Sequence, residues 1–111
     1  MSLVAKLFGF LVLAVALNFS VPAWAQKGTI KIAVQAPLSG EQAAIGDSIK
    51  LGAQLAVEES VQAFKALGYD LVLVPYDDQA KPEVGVANAR NIIADSNIMV
   101  IVGHFNSGVA L

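Results

Sequence analysis

No cysteine occurs in the 111 residues. That excludes disulfides, thiolate ligands for zinc or iron–sulfur clusters, a thiol nucleophile, and anchoring through a lipid-bearing cysteine. Histidine occurs once, at His104, so a metal site or catalytic base would have to be built from that single ring and carboxylates. Charge is also scarce. Only 14% of residues are Asp, Glu, Lys or Arg, with a formal net charge of −2. An acidic chain without basic runs is a poor partner for nucleic acid phosphates or for anionic lipid.

Aliphatic residues are plentiful, and their first concentration lies at the front. Leu7 to Leu17 is an unbroken apolar and glycine run of 11 residues behind Lys6, and "PAWA" then offers Ala23 and Ala25 in A-x-A spacing. A positive start, an apolar run of about 7–15 residues and a small-residue site make a secretory signal peptide, expected to cover residues 1–25 and to be cut before Gln26. The rival reading is a membrane span, which needs roughly 20 apolar residues; Asn18, Ser20 and Pro22 interrupt it. Residues 26–111 would then form the mature chain, with six basic and nine acidic side chains.

Within that chain "TIKIAVQAPL" reads as a strand, with Ile30, Ile32 and Val34 on one face and Lys31, Ala33 and Gln35 on the other, ended by Pro37. Gly46, Asp47 and Ser48 signal a helix start, and Ile49, Ala53, Val57, Val61, Phe64 and Leu67 recur at helical steps, predicting a helix from about Asp47 to Leu67 closed by Gly68. "YDLVLVPYDD" is a second strand, apolar on both faces from Leu71 to Val74. Pro82 suits the first turn of a second helix, whose expected buried side is Val86, Ala89 and Ile93 with Ala87 and Ile92. "SNIMVIVG" is a third strand. The order β-α-β-α-β with short connections predicts an α/β fold, the start of a doubly wound parallel sheet.

Ligands of such sheets bind beyond the C-terminal ends of the strands, which singles out "APLSGEQAAIG", "YDDQAKP" and "GHFNSG". In the first loop Gly40 and Gly46 are six apart, which fits neither a dinucleotide fingerprint nor a phosphate loop. Ser39 and Gly40 either form a turn or present backbone N–H groups to an anion. Asp77 and Asp78 point in opposite directions on extended chain, so capping or holding the next loop is favoured over a cation site. His104, without cysteine or a second histidine nearby, reads as a structural residue with its ring bonded to backbone. Ser107, between Asn106 and Gly108, is either a turn serine or a hydroxyl for one oxygen of a small polar solute.

Taken together, "IKIAVQAPLSGEQAAIGDSIKLGAQLAVEE", "YDDQAKPEVGVANARNII" and "VIVGHFNSGVAL", in that order and behind a leader, resemble the start of the periplasmic branched-chain amino-acid (leucine/isoleucine/valine) binding proteins of ABC transporters. The resemblance covers residues 30 to 111. It implies the first lobe of a type I periplasmic binding protein, truncated, so that residues 26–111 would be a partial N-terminal lobe not competent to bind alone. It further implies no enzyme activity, no cofactor and no metal. The expected partners are a small-molecule amino acid and the permease subunits of the transporter, with membrane contact only through the permease and a periplasmic location.

Carried over by position, the resemblance assigns Ser107 to the ligand α-carboxylate and Phe105 and Asn106 to the neighbouring wall. Ile45 stands where relatives often place an aromatic ring against the ligand side chain. Lys81 and Asn106 occupy positions that some relatives join by a disulfide. Two other functions are compatible with the α/β pattern: a ligand-sensing receptor or amide-sensor domain of the same bilobed fold, and an enzyme, for which no nucleophile or cofactor loop is visible.

Overall fold

The computed structural model describes residues 26–110; the leader expected over residues 1–25 lies outside them. The elements follow the expected alternation: β1 (Gly28–Ala36), α1 (Ala43–Ala66), β2 (Tyr69–Asp77), α2 (Pro82–Ala94), β3 (Ile98–Val102) and a single helical turn α3 (Ser107–Ala110). Both strand pairings are parallel, and the sheet order is β2-β1-β3. The first strand is therefore central. This explains why Ala33, Val34, Gln35 and Ala36 are wholly buried, while β3 exposes Met99, Val100 and Ile101. Pro75 lies within β2, and it is tolerated there because β2 is an edge strand, where a missing N–H need not break the ladder. The β1–β3 register jumps from Lys31↔Ile98 to Ile32↔Val100, leaving Met99 as the extra residue of a bulge.

The two faces of β1 are covered by different helices. Ile32 lines an apolar groove with Ala53, Val57 and Phe64 of α1. On the other face the Gln35 side-chain amide donates to the Gly85 carbonyl of α2 at 3.3 Å. This is a doubly wound arrangement, as the sequence pattern predicts.

Helix α1 starts at Ala43, one turn earlier than expected. Gly46, expected with Asp47 and Ser48 to start the helix, lies inside its first turn; a Cβ at this position would overlap the Pro37 carbonyl oxygen, and glycine lets the helix sit directly on the first loop. Asp47 and Ser48, expected to start the helix, instead pair with Lys50 and with the Ala44 carbonyl. The apolar stripe from Ile49 to Phe64 is half-buried as predicted, whereas Leu67 lies past the helix end and is exposed. Gly68 closes the turn at φ +89°.

The buried side of α2 differs from the expectation. Gly85 and Ile92 are its buried residues, with Asn88 and Ala89 half-buried between them; Val86, Ala87 and Ile93 face outward. The packing face runs at steps of three and four, but two of its members are a glycine and an asparagine, which carry no hydropathy signal. A Cβ on Gly85 would overlap the Val109 side chain of α3, and Asn88 Nδ2 donates to the Asp77 carbonyl at 2.8 Å.

Candidate functional site

The rim is built from three loops that leave the C-terminal ends of the strands: residues 37–42, 78–81 and 103–106. The chain order of the strands reverses between β1 and β3. The loop after β1 leads into α1 on one face, and the loop after β3 leads into α3, which lies against α2 on the other. Such a switch point opens a crevice, because consecutive loops turn away from each other there.

Glycine is indispensable at the base of this crevice. Gly103 has φ +129°, and a Cβ on it would overlap the Gln35 carbonyl oxygen. The third loop thus leaves β3 directly over the end of β1. Beyond it Phe105 is 43% exposed, and Ser107 at the start of α3 is exposed. Ile45, in the first turn of α1, is 45% exposed, so neither this apolar side chain nor the Ser107 hydroxyl is used by the core. Asn106 is half-buried and turned inward: its Nδ2 donates to Oε1 of Gln42 at 2.8 Å. His104 is half-buried, and its ring has no hydrogen-bond partner among the described residues, so the backbone bond expected for it is not formed.

Asp77 and Asp78 act as loop holders, as expected: Asp77 serves the first and second loops, Asp78 the second alone. Asp77 Oδ1 accepts the N–H of Leu38 at 2.9 Å and that of Gln79 at 2.8 Å, and its Oδ2 accepts the Ser39 hydroxyl. Asp78 is wholly buried; its Oδ1 accepts the Ala80 N–H at 2.9 Å and its backbone carbonyl accepts that of Lys81 at 2.9 Å. These bonds hold Gln79 and Ala80 in the left-handed region, at φ 54° and 56°. Burial pushes the Asp77 carboxyl up, but the Ser39 hydroxyl and the N–H groups of Gln79, Leu38 and Ser39 outweigh it and hold the pKa below its ordinary value.

No group of three His, Cys, Asp or Glu side chains among the described residues is placed to hold a metal ion. Beside its charged loop residues the rim offers an exposed hydroxyl, Ser107, a half-exposed aromatic, Phe105, and a half-exposed branched aliphatic side chain, Ile45. Gln42 is the residue that reading the sequence did not single out. The signal that could have found it is its place two residues after the Ser39-Gly40 turn, immediately before a helix, in a position where a side-chain cap is usual.

The model of a family described as "Periplasmic binding protein" matches residues 29–111. Among curated proteins the chain is 40% identical over 82 residues to Leu/Ile/Val-binding protein homolog 2 of Brucella abortus (strain 2308). It is 43% identical over 82 residues to Leu/Ile/Val-binding protein BraC3 of Rhizobium johnstonii. Each match covers 74% of this chain and 22% of the relative, so the chain spans about a fifth of their length. Among solved structures the leucine binding protein LivK of Thermotoga maritima superposes with a TM-score of 0.61 at 29% identity, covering 73% of this chain and 22% of that one. An ABC transporter substrate-binding protein of Sphaerobacter thermophilus gives 0.63 at 26% identity, covering 74% and 22%.

Proposed function

Because the chain belongs to the periplasmic binding protein family, we propose that it serves as the extracytoplasmic solute-binding component of an ABC transporter, with a branched-chain or related amino acid as solute. Residues 1–25 act as a cleavable signal peptide, and residues 26–111 form part of the N-terminal lobe of a periplasmic ligand-binding domain. Delivery is to the permease subunits, which provide its contact with the membrane. The protein captures and releases its solute unchanged, and no residue of the rim has a catalytic role.

The observation that carries this reading is the switch point between β1 and β3, with Ser107 exposed at the end of the third loop and Ile45 45% exposed just after the first. Ser107 donates to the solute α-carboxylate. Phe105 and Asn106 form the wall beside it, and Ile45 meets the solute side chain. Support also comes from the relatives, which are named as Leu/Ile/Val-binding proteins. Titration of the intact protein with leucine, isoleucine and valine in a calorimeter tests it. At least one should bind, and Ser107→Ala should weaken binding by about 1–3 kcal/mol, since the carboxylate loses its partner. Absence of heat with all three, for a protein shown to be folded, would refute the assignment.

A further inference from the structure

The hydrogen bond between Asn106 and Gln42 spans the switch-point crevice and joins residues 64 positions apart. Each of the two starts a helical segment. The Gln42 carbonyl accepts the N–H groups of Ile45 and Gly46 at 3.0 and 3.1 Å, and the Asn106 carbonyl accepts those of Val109 and Ala110 at 3.0 and 3.3 Å. Gln42 precedes α1 but makes no side-chain cap bond of the kind that short Ser, Thr, Asp or Asn side chains make at that position; its longer side chain reaches Asn106 instead.

The consequence is geometric. Ile45 is tied through its N–H to Gln42, and Ser107 is covalently next to Asn106. Helix α1 lies on the Ile32 face of the sheet and α3 beside α2 on the Gln35 face, so the two are related through the sheet, and the amide pair is a direct side-chain link between their starts. That link narrows their relative setting, because both side chains are half-buried and a neutral amide–amide bond fixes distance and direction together.

From this we infer that Gln42 and Asn106 are a positioning pair for solute selectivity. Their bond sets the spacing between the Ser107 hydroxyl and the Ile45 side chain, and thereby which solute side-chain length fits between them. The inference rests on the proposed function and adds to it a residue, Gln42, that touches no solute. If the pair served only stability, breaking it would lower the melting temperature and affect all solutes equally.

The test is calorimetric titration of the intact protein with leucine and with alanine, for wild type, Gln42→Met, Asn106→Ser, the double variant, and the length-preserving exchange Gln42→Asn with Asn106→Gln, each with a thermal melt. Gln42→Met is expected to weaken leucine binding about tenfold, the order of one lost hydrogen bond, and to change the leucine/alanine affinity ratio at least threefold. The double variant should be no worse than the worse single one, and the exchange should bring the ratio back towards wild type. An unchanged ratio in Gln42→Met with a lowered melting temperature, or additive effects of the two single variants, overturns the inference while leaving the functional assignment in place. If Gln42→Met does not fold, Gln42→Ala decides by the same ratio, since Gln42 touches no solute whereas Asn106 also borders the proposed site. A folded wild-type protein that binds neither amino acid overturns the functional reading and this inference with it.

Discussion

Asp77 holds Leu38: a carboxylate oxygen at the end of β2 accepts the backbone N–H of a residue 39 positions earlier, at 2.9 Å. The same side chain takes the Ser39 hydroxyl and the Gln79 N–H, so one residue organises two of the three rim loops at once. The first loop, which leads into the helix bearing Ile45, is kept in place from the neighbouring strand.

Replacing Asp77 by alanine should therefore destabilise the intact protein by about 1–3 kcal/mol, the cost of leaving partly buried N–H groups unpaired. Chemical denaturation of wild type and variant measures it. A change below about 0.5 kcal/mol would show that these groups find water instead.

The lowered pKa of Asp77 also gives a pH dependence with a definite sign. A carboxyl whose folded pKa lies below the unfolded value stabilises the fold fully above the unfolded value. That contribution is lost as pH falls through the folded pKa. Asp95 adds to it in the same direction, its carboxyl held low by the Lys31 ammonium at 2.7 Å and by the Asn97 N–H. Melting temperature should be flat from about pH 7 to 5 as far as these two groups are concerned and fall below about pH 4. Asp77→Asn should shrink the fall, and an unchanged slope would assign it to other carboxylates.

Gly46→Ala and Gly103→Ala each place a methyl group onto a backbone carbonyl, that of Pro37 and of Gln35 respectively. Backbone cannot rotate away as a side chain can, so each should cost at least about 1–3 kcal/mol, and Gly103→Ala more because it also meets φ +129°. Gly52→Ala in mid-α1, where a Cβ meets nothing within 4 Å, should instead stabilise by up to about 1 kcal/mol. Thermal melts of the three variants check the order.

Ala80→Gly should stabilise as well, by about 0.5–1 kcal/mol. Ala80 is held at φ 56°, where a Cβ crowds the following carbonyl and glycine does not. Added flexibility of the unfolded chain offsets part of that gain. A lowered melting temperature would mean that the Asp78 bond to the Ala80 N–H depends on the alanine side chain.

Ile45→Ala removes the apolar wall of the proposed cleft without touching the core. Calorimetry should show a loss for leucine of about 1–2 kcal/mol, following the apolar area no longer covered, and almost none for alanine. Equal losses for both would move the side-chain site elsewhere.

The α/β alternation, the parallel pairing and the three rim loops were legible in the residues, because hydropathy period and turn chemistry are local properties that each segment carries with it. The same locality explains the misses. Gly46 reads as part of the signal that starts the helix near Asp47, yet it lies inside a first turn that begins at Ala43, and what it provides there is close approach to Pro37, nine residues earlier, which leaves no room for a side chain. Val86 and Ile93 are apolar enough to look buried, but the face of α2 that packs is the one where Gly85 admits Val109 and Asn88 bonds the end of β2. Neither a missing side chain nor a polar one produces a hydropathy peak.

The rim divides in the same way. Ser107 could be singled out from its loop at a strand end, and Phe105 and Ile45 from the family resemblance; all three are exposed. Gln42 could not, since its role depends on Asn106 being brought beside it by the order β2-β1-β3. Sequence alone determined which segments are strands and helices, since period, proline and glycine act within a few residues. Tertiary structure decided which strand is central, which helix face is covered and which loops meet, because those outcomes depend on steric fit and hydrogen bonds between residues far apart in the chain.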